Sequence, residues 1–150
     1  MRELGEKTKY FLYLLTASLL DATSTTIALL ETTATEMNPY VAYLFNNFTT
    51  TQAFTLTFTT PIIISLIFYL LWATPSMKSL GKYGLLAMIT SQTIASINNN
   101  LITLTKQNYG LAFIAILSAL YLIMKGLEKD RERNERKKLL ETLDTKIKLD

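Results

Sequence analysis

The sequence predicts an all-α, polytopic membrane protein with four transmembrane helices, a short interfacial helix after Pro39 and a charged C-terminal helix. Nearly half of the 150 residues, 49%, are hydrophobic, and they clump into runs near the roughly 20 residues that cross about 30 Å of hydrocarbon. Most of the Lys and Arg lie in the first nine residues or from Lys125 onward, as topology signals do. The chain has neither Cys nor His. That removes disulfides, zinc clusters and thiol or imidazole catalysis, so a bound metal would have to be a hard cation on oxygen ligands. No cofactor is implied. Residues 1–125 read as a transmembrane domain and 126–150 as a cytoplasmic helix or tail.

The first span covers residues 10–30, after a polar opening that carries Arg2, Lys7 and Lys9. A cleavable signal peptide with its core at residues 10–20 begins the same way. Apolar character resumes at residues 27–30, however, which extends the segment to spanning length. A loop without Lys or Arg follows, over residues 31–51. Within it Asn38 reads as an N-cap and Pro39 as the first position of a short helix through Tyr40, Val41, Leu44 and Phe45. Asn47, Phe48 and Thr49 form a glycosylation sequon.

The second span is placed at residues 52–73. Its first half alternates as a strand would, Phe54 to Thr59, but a lone strand cannot satisfy its backbone in lipid, so helix is expected. Thr hydroxyls can fold back onto carbonyls one turn earlier, and Pro61 should free the carbonyl of Thr57 and kink the helix. Residues 74–81 connect to the third span, residues 82–104. Gln92, Ser96, Asn99 and Thr103 share one face of it, which must look into protein or water. Residues 105–108 turn into a fourth span, 109–124, whose Ala112, Ala115, Ser118 and Ala119 would allow close helix contact.

After Lys125 charges dominate. Glu128 with Arg131, Glu132 with Arg136 and Glu135 with Lys138 are spaced to support a solvated helix, and Leu139, Leu140, Leu143 and Ile147 add an apolar stripe. Such a helix could hold a cytoplasmic partner. Nucleic acid is not an expected partner, because acidic residues are interleaved and no stacking aromatics accompany the bases. Lys and Arg before the first span, between the second and third, and after the fourth place both termini in the cytoplasm of a cell-membrane protein. Tyr10, Tyr69, Trp72, Tyr83 and Tyr121 then gather at the inner interface.

Asp21 is the outstanding polar group. A carboxylate at the centre of a membrane helix costs about 2.5–3.5 kcal/mol to insert. Asp21 lies roughly 16 Å above the inner end of its span and Gln92 roughly 15 Å above the inner end of its own. A cluster of Asp21, Ser18, Thr25, Gln92 and Ser96, closed by Asn99, is therefore expected. The spans offer no Lys, Arg or His, so Asp21 should be protonated, bind a cation or face water.

An Asp in the first span followed by Thr25 or Thr26, then Glu36-x-Asn38-Pro39, and Asn98 to Asn100 near the outer end of a later span, resembles a family of small prokaryotic integral membrane proteins known as a domain of unknown function. The resemblance covers about residues 14–104 and leaves out the charged tail. It lacks the Lys that commonly follows the Pro-led segment in that family. It implies an integral membrane protein and no established activity. Two function classes remain: a structural or interaction protein with a buried network around Asp21, and as the alternative a proton- or cation-translocating protein using Asp21. Catalysis is not expected, because nothing supplies a nucleophile or a paired-carboxylate site outside the loop that carries Glu31 and Glu36. The limited room of four spans, with the small-residue face of the last, suggests a homo-oligomer in the lipid bilayer.

Overall fold

A computed structural model describes residues 2–31, 39–105 and 111–147, and every regular element in it is helical. Helix α1 (Arg2–Glu31) begins well before Tyr10. Its polar first turns are tied down by tertiary contacts: Glu6 pairs with Lys82, and the Lys7 ammonium lies 5.8 Å from the Tyr69 ring centre and 5.7 Å from that of Trp72. Helix α2 (Pro39–Asn47) is the short helix expected after Pro39, and its Tyr40 hydroxyl meets Thr60 Oγ1 at 3.1 Å. Glu36 and Asn38, with the N-cap reading of Asn38, lie outside the described residues.

Helix α3 (Thr50–Ala73) opens on a reciprocal cap. Thr49 Oγ1 accepts from the Gln52 amide at 3.4 Å while Gln52 Oε1 accepts from the Thr49 amide at 3.1 Å, which satisfies two donors that a helix start otherwise leaves open. The alternating segment is helical. Thr55, Thr59 and Thr60 donate to the carbonyls one turn earlier at 2.8, 2.8 and 2.7 Å, and the helix runs unbroken through Pro61.

A 3-10 turn, Pro75–Met77, leads straight into α4 (Lys78–Thr105), four residues ahead of the expected start. Helix α5 (Leu111–Ile147) is one helix of 37 residues, about 56 Å long at 1.5 Å per residue. The boundary placed at residue 125 falls inside it, so the charged segment directly continues the apolar one.

Helix α4 is the central element and packs against α1, α3 and α5, while α1 also packs on α3 and α2 leans on α3. Leu14, Trp72 and Leu85 form the apolar core, with Tyr10, Phe11, Phe68 and Met88 against it. Close approach of α3 to α4 requires Gly81 and Gly84: a Cβ on Gly81 would lie 2.5 Å from Trp72 Cα and 2.6 Å from the Phe68 carbonyl oxygen, and one on Gly84 would strike the Phe68 ring. Helix α5 packs on α4 with Ala115 and Gly126 buried, while Ser118 and Ala119 are half-buried. Among the described residues two segments are long and apolar enough to cross a membrane, Gly5–Leu30 and Thr50–Ala73. Helix α4 has the length but is more polar, and α5 exchanges apolar residues for charges partway along.

Candidate functional site in the polar interior

The core layer of Leu14, Phe68 and Leu85 gives a common level from which to count along α1, α3 and α4. About 5 Å further on come Ser18 of α1 and Ser65 of α3; about 10 Å on, Asp21, Pro61 and Gln92; about 16 Å on, Thr25, Thr57 and Ser96. Ser18, Asp21, Thr25, Thr57, Ser65 and Ser96 are all buried. Three helices therefore stack their small and polar residues in matched layers above an apolar floor.

Hydrogen bonds join α1 to α4 through this interior. Asn99 Nδ2 donates to Thr25 Oγ1 at 2.7 Å and to Asp21 Oδ1 at 3.4 Å. Ser24 Oγ lies 3.0 Å from the Asp21 carbonyl oxygen and 3.4 Å from Ser96 Oγ. Of the residues singled out from the sequence, Asp21, Thr25 and Asn99 thus meet directly, and Ser96 joins through Ser24. Gln92 is level with Asp21, but its Oε1 is buried without a hydrogen-bond partner among the described residues. Ser18 Oγ, Thr57 Oγ1, Ser65 Oγ and Asn98 Oδ1 share that condition. Pro39 opens α2.

From α3, sequence reasoning singles out Pro61 and the carbonyl of Thr57 but misses the buried side-chain stripe. Ala53, Thr57, Pro61 and Ser65 are its buried positions above Trp72; their regular spacing of four marks one helical stripe and is the signal that could have found them. Among the described residues no group of three or more His, Cys, Asp or Glu could hold a metal.

A second polar constellation fixes α5. Asp130 is 5% exposed, and its two carboxylate oxygens accept from the Ser79 and Leu80 amides at 2.8 and 2.6 Å. The open amides and dipole of a helix start favour an anion there, which explains the early start of α4. Arg133 completes the clamp: Nη1 lies 3.0 Å from Asp130 Oδ1, and Nη2 donates to Ser79 Oγ at 2.8 Å. Asn134 Nδ2 donates to the Ser76 carbonyl at 3.3 Å. Gly126 lets the helices touch, since a Cβ there would sit 2.9 Å from Leu80 Cα. On the solvated side the charges pair as Arg131 with Glu135 and Lys137 with Glu141. At the same end Tyr10 stacks edge-on against Trp72 with ring centres 5.3 Å apart, and Lys125 and Lys129 lie over Tyr83 at 5.9 and 5.2 Å. No protein-family model, curated protein or solved structure matches the chain.

Proposed function

We propose that this is a small multi-pass membrane protein with a structural or interaction role. In this reading α1, α3, α4 and the first half of α5 cross the cell membrane with both termini in the cytoplasm. The Asp21 network sets the register of α1 against α4, and the rest of α5 stands out as a rigid arm that presents a docking surface to a protein partner.

The membrane part is supported by the inversion of the usual pattern. Leu12, Leu30, Ile63, Leu70, Phe113 and Leu120 are exposed while Asp21, Ser18 and Thr57 are buried. Water would penalise that arrangement by about 25 cal/mol per Å² of apolar surface, whereas lipid favours it. The collar of aromatic rings and lysines at one end fits a membrane–water interface.

The observation that carries the interaction role is the Asp130 clamp. A tail that only kept the C-terminus in the cytoplasm would gain nothing from a buried carboxylate, and desolvating one is expensive unless its bonds are complete. Here they fix where the arm points. Beyond the clamp Leu139 and Leu140 are adjacent and exposed, an apolar step on an otherwise charged helix.

A photo-crosslinking side chain at Leu139 or Leu140 in cells tests this. One discrete adduct is expected, lost in Leu140→Glu and weakened in Asp130→Ala. An adduct of twice the chain's mass identifies a second copy as the partner. Absence of any adduct at both positions removes the docking role.

A further inference from the structure

Basic side chains at the cytoplasmic end divide by the partners they take. Lys82 pairs with Glu6 and Lys137 with Glu141, while Arg131 and Arg133 meet Glu135 and Asp130. Lys125 and Lys129 meet no carboxylate among the described residues. Yet Glu128 and Glu132 stand three positions beyond them on α5, a spacing at which opposite charges pair on a helix. Both ammoniums turn instead to α4, where they lie 5.9 and 5.2 Å from the centre of the Tyr83 ring. Lys125 also lies 5.7 Å from that of Tyr121.

Left to itself, this convergence is unfavourable. Like charges four positions apart on a helix repel, and a ring face attracts each cation without neutralising it. An ammonium has three donors, so each lysine keeps donors for an anion while it faces the ring. Location says which anion fits. Lys125 stands where α5 passes from apolar to charged residues, and Tyr121 and Met124, on the turn before it, are exposed. In a membrane that level is the headgroup zone of the inner leaflet. The two lysines are about 6 Å apart along α5, close enough for the several acceptor oxygens of one phosphate group to serve both.

We propose that the junction of α4 and α5 binds the phosphate of one anionic phospholipid of the inner leaflet, held by Lys125 and Lys129 beside the Tyr83 ring. The acyl chains run into the bilayer beside α5. Basic pockets between helices on the cytoplasmic side suit such headgroups, whereas a zwitterionic lipid brings its own cation and repels the lysines. The site rests on the membrane placement of α5 proposed above.

The test reconstitutes the full chain into phosphatidylcholine vesicles, with and without phosphatidylglycerol, and then titrates each lipid onto the detergent-extracted protein by native mass spectrometry. One phosphatidylglycerol per chain should bind saturably and in preference to phosphatidylcholine. Lys125→Gln and Lys129→Gln should each weaken it about fivefold, the effect of losing one basic residue beside an anionic headgroup, and Lys125→Arg should keep it. Lys137→Gln, which loses the same charge further along α5, should bind like the wild type. The proposal is overturned if phosphatidylglycerol binds no better than phosphatidylcholine, if both Gln variants bind like the wild type, or if Lys137→Gln weakens binding as much as they do. Displacement of the lipid by an equal concentration of inorganic phosphate would also overturn it, assigning the lysines to a soluble anion. A chain that enters neither kind of vesicle would refute the membrane placement, and this site with it.

Discussion

Among the described residues Asp21 and Asp130 are buried, and their partners give them opposite characters. Asp130 accepts two backbone amides and an Arg, so its charge is matched at a helix start where an anion is favoured. Asp130→Ala strips the cap from α4 and should lower stability by about 1–2 kcal/mol, read as a fall in Tm. Asp130→Asn retains one acceptor and should fall between alanine and the wild type. Asp21 instead shares Asn99 with Thr25. Asn99→Leu leaves both α1 groups without that donor and should destabilise the bundle by about 1–3 kcal/mol. In the structural reading Asp21→Asn folds at little cost while Asp21→Leu loosens α1 from α4. Equal destabilisation by the two substitutions, measured in the same lipid, would remove Asp21 from the register-setting network.

At the level of elements, the joint between α3 and α4 and the arm of α5 make separable demands. Gly81 faces the Trp72 and Phe68 backbone, which cannot yield as a flexible side-chain tip can, so Gly81→Ala should force the helices apart and cost about 1–3 kcal/mol. Gly5, also helical, has nothing within 4 Å of the place a methyl would take, so Gly5→Ala should not lower Tm in the same melt and should raise it slightly through helix propensity. For the arm, the absence of Cys makes any introduced pair of labels unique. Spin labels at Met77 and Leu139 should report a narrow distance distribution in the wild type and a broad one in Asp130→Ala. A wild type as broad as the variant would mean that the clamp does not orient the arm.

For the whole molecule, the interior needs α1 in place, because the hydrogen bonds described above between α1 and Asn99 or Ser96 all involve residues 21–25 of α1. The membrane-extracted protein should therefore show an intact mass that includes residues 1–20; loss of that segment would leave Asp21 at a frayed terminus. Assembly is a separate question. Ala115 of α5 is buried and α5 packs on α4, so the contact with a second copy is expected on the outward side, where Phe113, Leu117 and Tyr121 are exposed. A dimeric mass in native lipid that survives Ala115→Leu but not Leu117→Glu would place the contact there.

The helices themselves are legible from residue order. Pro39 starting α2, the Thr-rich alternating segment as helix, and the level placement of Asp21 with Gln92 all follow from chain-local rules of capping, backbone satisfaction in lipid and 1.5 Å per residue. The Thr49–Gln52 cap and the four-spaced stripe of Thr57, Pro61 and Ser65 are local patterns too, hidden among the many other Thr of the same segment. What residue order does not contain is which long-range partner a polar group takes. In sequence Asp130 is one charge in a solvated run, and only the packing of α5 on α4 carries it to the Ser79 and Leu80 amides. Likewise depth alone sets Gln92 beside Asp21, whereas the α4 side chain that donates to Asp21 is Asn99, two turns further along the helix. Sequence sets the axial level of each group through the helix rise; the rotation and tilt of neighbouring helices, fixed by contacts such as Gly81 against Trp72, decide which groups at that level meet.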